Sequence, residues 1–405
     1  MNNLLSISVI TMILSNSFVL NAQYVFHSID EVWIYALENN PDNSIYQLQV
    51  DKANKDQKTA YSSLYPTINV GFSGQHNIYI AETPIPGEAV GQPGETEYIK
   101  FGLPYAYNGG ITVNKTLFDW QSIFQSKIAK SNTQLKQAEK SLFEQNLKEQ
   151  VAQIYYASLT GQAAVNTAIE DLSLADTILQ ITSDRFREGL IDGLSLNQAK
   201  INRNNALDRL EQNKQYLYES IFNLKILLGL SASDTLVLNE QIDLNTHHYI
   251  EVVAQNDLSI NLYEIQLEIS DFERKQALTR FTPKFDLIYY WGGTQYQQDL
   301  NLSFNASDWQ RNSYLGINLS IPLFSGFGNK NRYRSAIISQ NIAHASYEEE
   351  IRKSSLSDSI LFNNYLSSQK LAKTASENLN ISGKNVHLAY SKYSEGLISL
   401  DNYLG

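Results

Sequence analysis

Cysteine is absent from the sequence, so disulfides, thiolate metal sites and a cysteine nucleophile are all excluded. The same absence removes the acceptor for lipidation at the amino terminus. Basic side chains are also scarce, with 31 Lys and Arg against 42 Asp and Glu and a net charge of −11. No cluster of Lys and Arg occurs, which argues against nucleic acid as a partner.

Signatures of enzymes are equally lacking. The sequence contains no HExxH, no P-loop, no Gly-X-Ser-X-Gly and no nucleotide-binding glycine motif. Its single histidine pair, His247-His248, lies in a polar connector without cysteine and is interpreted as part of a solvated loop rather than a metal site. We therefore expect no enzymatic activity, no cofactor and no bound metal.

Long apolar runs are missing after residue 20, so the mature chain should have no transmembrane helix. The run that does occur, residues 4–20, is followed by Asn21-Ala22-Gln23 and predicts a secretory signal peptide over residues 1–22. The alternative is a membrane anchor, which the polar interruptions and the short length of the run disfavour.

The feature that is present, and around which the chain is organised, is a repeated octapeptide. Arg185-Phe-Arg-Glu-Gly-Leu-Ile-Asp192 returns 207 residues later as Lys392-Tyr-Ser-Glu-Gly-Leu-Ile-Ser399. In each copy a glycine between two helical patterns predicts the tip of a helical hairpin. The sequence is a tandem duplication, with a first repeat over residues 23–245 and tip at 185–195, and a second over 246–405 and tip at 392–399.

Each repeat also contains two segments in which apolar and polar residues alternate. They predict strands at about residues 66–80 and 100–117 in the first repeat, and at about 283–298 and 311–323 in the second. Thr83 to Gly94, with three prolines and three glycines, predicts a long loop. The strands are long enough to cross a bilayer, but alternation alone equally allows two soluble hairpins packed on helices. Because four strands cannot close a barrel, membrane-spanning strands would require several chains to share one.

Helical periodicity fills most of the remainder. It extends from Asp119 to Arg187, and after the first tip a heptad pattern of leucine and isoleucine from Leu207 to Leu228 predicts a coiled-coil seam. In the second repeat only about nine residues follow the tip. By comparison with the first repeat, some 30 residues of a last helix are expected to be missing.

These motifs, in this order, resemble the TolC family of outer-membrane efflux proteins. The resemblance covers nearly the whole mature chain and is carried by Asn-Asn-Pro41, Tyr65-Pro66, the Leu-Phe exits at Phe118 and Phe324, and the two tips. It implies a mainly α fold with membrane β: long antiparallel coiled-coil hairpins forming an α-barrel tunnel, plus four strands per chain contributed to a trimeric 12-stranded β-barrel. It also implies an outer-membrane location with the helical part in the periplasm of a Gram-negative bacterium.

The function implied by the resemblance is a passive exit duct of a tripartite efflux pump or a type I secretion system. Its partners would be two further copies in a homotrimer, a periplasmic adaptor, an inner-membrane pump and outer-membrane lipid. The alternatives are a periplasmic coiled-coil scaffold that transports nothing, and an inactive truncated family member.

Residues are assigned to this function by position in the two tips. The resemblance places adaptor docking and tunnel closure at eight residues: Arg185, Gly189, Leu190, Ser195, Tyr393, Gly396, Leu397 and Ser399. A possible constriction of the tunnel falls on Asp401 and Asn402, although the acidic residue stands one place earlier than in the family pattern.

Overall fold

The computed structural model describes residues 22–240, 257–399 and 402. The signal peptide expected at 1–22, the connector with His247-His248, the junction between the repeats and Asp401 therefore lie wholly or almost wholly outside the described residues. The chain divides into two compact units. Unit 1 takes its residues from Met1–Ile45, Leu142–Val252 and Ile360–Gly405, and unit 2 from Tyr46–Ser141 and Val253–Ser359.

Helices dominate the described chain. They are α1 (Ile29–Asn39), α2 (Pro41–Ser62), α3 (Trp120–Arg187), α4 (Gly193–Leu228), α5 (Leu258–Thr279) and α6 (Gly328–Ser394). Local sequence explains several of their ends. Ser28 caps α1 by accepting from the Glu31 amide, and Glu31 in turn accepts from the His27 amide. Proline begins α2, where its missing N–H costs nothing. None of the helices in the described part of the chain is both long enough and apolar enough to cross a membrane.

In the described part of the chain the strands form three separate sheets. They are β1 (Gln23–Phe26), β2 (Thr67–His76), β3 (Glu82–Pro86), β4 (Thr96–Lys100), β5 (Tyr105–Phe118), β6 (Thr235–Leu238), β7 (Lys284–Gln297) and β8 (Gln310–Ser320). Two of the sheets are small, namely the parallel pair of β1 with β6 and the antiparallel pair of β3 with β4.

The largest apolar core of unit 1 surrounds α1. Strand β1 lies beside β6, and α1 packs with α3 and α4 on fully buried side chains, namely Val32, Val151, Tyr155, Leu224 and Leu228. Leu224 and Leu228 belong to the heptad seam that the sequence predicts. The Trp33 indole N–H donates to the Lys148 carbonyl at 2.9 Å, so the tryptophan satisfies its polar group while it packs.

Unit 2 contains the principal sheet, with strand order β2-β5-β7-β8 and every pair antiparallel. The two central strands come from different repeats, since β5 pairs with β7 from Tyr105 opposite Gln297 to Phe118 opposite Phe285. A mainly helical chain with four strands in one open sheet confirms the predicted fold class.

One stretch differs from the sequence expectation. The predicted loop at Thr83 to Gly94 contains strand β3 and a short 3-10 turn, Gly87–Val90, and β3 pairs with β4 from Glu82 opposite Lys100 to Pro86 opposite Thr96. Two prolines are tolerated there because the sheet has only two strands and each strand is an edge. As a result, β2 ends at His76 and β5 begins at Tyr105, which leaves both strands shorter at these ends than the alternation predicts.

Candidate functional site

The two repeated glycines end their helices in the same way. Gly189 has φ 73° and Gly396 has φ 76°, the left-handed region that favours glycine. The Gly189 amide bonds to the Phe186 carbonyl at 3.1 Å and the Leu190 amide to the Arg185 carbonyl at 2.9 Å. The second tip repeats this pair of bonds, with Gly396 to Tyr393 at 3.0 Å and Leu397 to Lys392 at 2.8 Å. Each tip is thus a Schellman turn whose sequence requirement is the Gly-Leu dipeptide.

After the first tip the chain enters α4, and one capping bond of that helix has a counterpart at the second tip. At the first tip the Asp192 carboxylate caps α4, accepting from the Ser195 amide at 3.0 Å and the Ser195 hydroxyl at 2.8 Å. These two bonds stabilise the ionised carboxylate and lower the pKa of Asp192. At the second tip the Ser399 hydroxyl accepts from the Asn402 amide at 3.3 Å, at the equivalent positions. Ser195 and Ser399 therefore take part in capping, on opposite sides of the bond.

Arg185 joins the two tips. Its Nη2 donates to the carbonyls of Tyr393 at 3.0 Å and Ser394 at 3.1 Å, the last two residues of α6. The guanidinium also lies over the Tyr393 ring, 5.1 Å from its centroid. Arg185 is a second donor to the Tyr393 carbonyl, which also accepts from the Gly396 amide, and a cation at a helix carboxyl end is favoured by the helix dipole.

Tyr393 is the side chain that the tips bury. It is 2 % exposed and packs with Ile178 of α3 and Ala199 of α4. Its hydroxyl lies 2.9 Å from the hydroxyl of Thr182, which is also fully buried. Because the Thr182 hydroxyl already donates to the Ile178 carbonyl at 2.7 Å, Tyr393 is the donor in the bond between the two hydroxyls.

Most of the other residues assigned to the tips are exposed. Leu190 and Leu397 are 69 % and 68 % exposed, so each tip presents an apolar side chain to the outside. Gly396 approaches Arg185, whose Nη2 would be 3.6 Å from an added Cβ. Asn402 is exposed, and Asp401 lies outside the described residues. The structure brings together Arg185, Tyr393 and Gly396, and it leaves the two leucines projecting.

Sequence reasoning did not select Thr182, Ile178 or Asp192. A threonine in the interior of a long helix carries no positional signal, and only the contact with Tyr393 reveals Thr182. Asp192, however, stands within the repeated octapeptide immediately before a helix, and the preference of Asp for cap positions was a signal that could have identified it.

The four-stranded sheet is the second functional element, because its two faces differ in chemistry. Register places rows of side chains on each face; one row on the first face joins Val70, Ile111 and Trp291. The first face is mainly apolar and includes Ile68, Val70, Phe72, Ile111, Val113, Tyr289, Trp291, Leu315, Ile317 and Leu319. It also carries Lys115, Gln295, Arg311 and Ser313. The second face is mainly polar and includes Thr67, Asn69, Ser73, Thr112, Asn114, Thr294, Asn312 and Asn318.

The apolar face is uncovered. On the edge strands β2 and β8 its side chains are the most exposed, with Val70 at 81 % and Ile317 at 70 %. Soluble hairpins packed on helices would bury this face, so the sheet does not have the arrangement that this alternative requires. A sheet that is apolar outside and polar on its other side has the pattern of a membrane barrel wall.

On the polar face one tyrosine lies flat across the sheet. Tyr290 covers the backbone at Gly110 and Gly292, which face each other on β5 and β7. A Cβ added at Gly110 would be 2.7 Å from the Tyr290 hydroxyl, so an alanine there would displace the Tyr290 ring. The Tyr290 ring also stacks with Tyr314 of β8, with centroids 5.4 Å apart.

The chain is similar to a known family and to solved proteins. Residues 35–230 and 249–404 match the family described as outer membrane efflux protein. The CmeC outer membrane channel of Campylobacter jejuni superposes with a TM-score of 0.74 at 18 % identity, covering 93 % of this chain and 78 % of that one. The outer membrane protein VceC of Vibrio cholerae gives 0.76 at 15 % identity, covering 93 % and 88 %. The MtrE outer membrane channel of Neisseria gonorrhoeae gives 0.70 at 16 % identity, covering 91 % and 80 %. No curated protein sequence is significantly similar to the chain.

Proposed function

The chain belongs to the outer membrane efflux protein family, and from this premise we propose that three copies form the exit duct of a tripartite efflux pump or a type I secretion system. The family consists of outer-membrane channels rather than enzymes, with the strands in the membrane and the helices in the periplasm. In the proposed assembly each copy supplies β2, β5, β7 and β8 to a shared 12-stranded barrel.

The observation that carries the proposal is the two-faced sheet. Its apolar face matches lipid, its polar face matches an aqueous lumen, and its outer strands β2 and β8 each have one edge that no strand of the described chain covers. An unpaired, apolar strand edge is unstable in a bilayer because its N–H and C=O groups lack partners there. Pairing of β2 of one copy with β8 of the next satisfies both edges, and three copies give 12 strands.

The tips supply the second part of the proposal. Leu190 and Leu397 would dock onto a periplasmic adaptor, since exposed apolar side chains at a rigid turn suit insertion between partner helices. Arg185, Tyr393 and Gly396, with Gly189, Ser195 and Ser399, would hold the tips in the closed arrangement. Asp401 and Asn402 remain candidates for a constriction beyond the second tip.

The first experiment measures assembly. The full chain, expressed with its own amino-terminal segment, is extracted from outer membranes in mild detergent, and its mass and single-channel conductance are determined. The proposal expects a trimer that conducts in planar bilayers. A chain recovered from the periplasm without detergent as a monomer would refute it and would favour the scaffold.

The second experiment isolates adaptor docking. Leu190→Asp and Leu397→Asp should abolish export by the assembled system, measured as resistance to toxic compounds and as secretion of protein, while mass and conductance stay unchanged. Ile226→Asp is the matched control, because Ile226 is an equally exposed apolar residue, 69 %, near the opposite end of α4. Loss of export in the control as well would contradict a docking role confined to the tips.

A further inference from the structure

The connection from β8 to α6, residues 321–327, presents apolar side chains outside any core. Leu323 is 93 % exposed, and Phe324 and Phe327 are also largely exposed. The two phenylalanines contact each other edge to face, with ring centroids 5.5 Å apart. An exposed aromatic cluster of this kind marks a surface that is covered in the working protein.

The backbone of this connection is held in an unfavourable conformation. Phe327 has φ 64° and follows Gly326 at φ 59°, and within the described residues Phe327 is the only residue other than glycine with a positive φ. The equivalent connection in the first repeat, from β5 to α3, needs no such residue. There Asp119 caps the helix by accepting from the Gln121 amide at 3.0 Å. Joining strand to helix therefore does not require the strain, which serves instead to place the Phe327 ring.

The start of α6 is basic and without acidic residues. The sequence has no Asp or Glu between Asp308 and Glu348, but it has Lys330, Arg332 and Arg334. All three are exposed, and the Lys330 ammonium lies 5.9 Å from the Phe327 ring centroid. Lys330 and Arg334 are one helical turn apart and so share a face.

That face points away from the helix that packs on α6. The Asn329 amide donates to the Arg280 carbonyl at 3.2 Å, and the Gln340 amide donates to the Asp271 carboxylate at 3.1 Å. These contacts fix which side of α6 meets α5. On that side Asp271, which accepts from Gln340, is also engaged by Arg274 and Lys275.

The connection also continues the apolar face of the sheet. Odd-numbered residues of β8 lie on that face, and beyond the strand the same alternation reaches Ile321 and Leu323. Since the helices of the family are periplasmic, residues 321–334 mark the depth of the periplasmic leaflet. Aromatic rings and basic side chains are the groups that favour the headgroup region of a bilayer.

We propose that residues 323–334 bind anionic phospholipid of the periplasmic leaflet. Leu323, Phe324 and Phe327 enter the boundary of the acyl region, and Lys330 and Arg334 contact the lipid phosphate. At the rise of an α-helix, Lys330 lies about 3 Å and Arg334 about 9 Å along α6 from its first residue. These positions suit a lipid headgroup layer next to the boundary that Phe324 and Phe327 enter. The inference rests on the proposed function, because it requires the sheet to lie in a membrane.

The first test measures depth with spin labels, which the absence of cysteine makes site-specific. Single labels at Leu323→Cys, Ile317→Cys and Lys52→Cys are placed in the full chain, reconstituted into vesicles of phosphatidylethanolamine and phosphatidylglycerol. Collisions with oxygen report lipid, and collisions with a nickel chelate report water. The proposal expects labels at 317 and 323 in lipid, with 323 shallower, and the label at 52 in water.

The outcomes distinguish a failure of the membrane sheet from a failure of the lipid site. A label at 317 that is accessible to the nickel chelate would overturn the membrane sheet itself, and the proposed function with it. A label at 317 in lipid with a label at 323 shielded from both reagents would mean that a second copy covers the connection. That result, or a label at 323 in water, would overturn only the lipid site.

The second test concerns the charges. Lys330→Gln with Arg334→Gln should reduce the preference for phosphatidylglycerol over phosphatidylcholine about thirtyfold, measured as lipid retained by the detergent-extracted protein in native mass spectrometry. Lys52→Gln with Lys55→Gln removes the same charge from α2, with Lys52 about 15 Å from the end of that helix, and should leave the preference unchanged. An equal loss of the lipid preference in both variants would overturn the lipid site. In each variant, unchanged accessibility of a label at 317 to oxygen and to the nickel chelate shows that the sheet is still inserted.

Discussion

Replacing Arg185 by alanine should separate the two tips. The side chain makes two hydrogen bonds to carbonyls, at 3.0 and 3.1 Å, and one contact with the Tyr393 ring. Discounted for partial exposure, each hydrogen bond contributes about 1 kcal/mol and the ring contact about 0.5 to 1 kcal/mol. The loss of about 2 to 3 kcal/mol should raise the ratio of separated to joined tips by roughly 30- to 150-fold.

The separation is measured as the distance between spin labels at Glu188→Cys and Glu395→Cys, both on exposed positions of the two tips. Labelled chains are diluted with unlabelled ones so that each assembly carries one labelled copy. Arg187→Ala is the control, because Arg187 forms only an exposed ion pair with Asp184 on its own helix, which contributes at most about 1 kcal/mol to stability. The reasoning fails if Arg185→Ala widens the distance distribution no more than Arg187→Ala does.

Three further outcomes follow from the same geometry. Gly396→Ala, at φ 76°, should lower the free energy of unfolding by about 1 kcal/mol. Gly383→Ala lies within α6, where an added Cβ meets nothing, and should raise it by up to about 1 kcal/mol. Thermal unfolding of the two variants measures these opposite changes. Gly110→Ala should cost about 1 to 3 kcal/mol through contact with Tyr290, and adding Tyr290→Ala should recover part of that loss in denaturant titrations; additive losses would contradict the contact. Because hydrogen bonds lower the pKa of Asp192, its cap is fully formed above about pH 4 and is lost as the pH falls through the lowered pKa. Asp192→Asn should keep the cap and remove this acid dependence from hydrogen exchange at the first tip, and a dependence that persists would show another group to be responsible.

Periodicity in the sequence was sufficient to predict the main helices and strands. The alternation from Ile68 to Phe72 and from Leu315 to Leu319 defines strands with one apolar face, because a period of two has a single structural meaning. The heptad from Leu207 to Leu228 likewise defines the seam of α4. The pairing of β1 with β6 could not be predicted, since the four residues of β1 are too few to carry a periodic signal.

Contacts between the repeats were the part that sequence could not supply. Gly189 and Gly396 identify the tips because a left-handed turn restricts the residue type. Nothing in the sequence restricts the residue opposite Tyr393, so the bond from Tyr393 to Thr182 across 211 positions is visible only in three dimensions. The β3–β4 hairpin was missed for a different reason, because Pro84 and Pro86 argue against a strand except at an edge.

The bridge made by Arg185 is one-sided, although the two repeats share one sequence pattern. Arg185 corresponds to Lys392 and the buried Tyr393 corresponds to Phe186, which is partly exposed and has no hydroxyl. The first repeat supplies the donor and the second supplies the receiving tip, so the two halves are not interchangeable. A chain with two first repeats would have two arginines and no buried tyrosine to receive them.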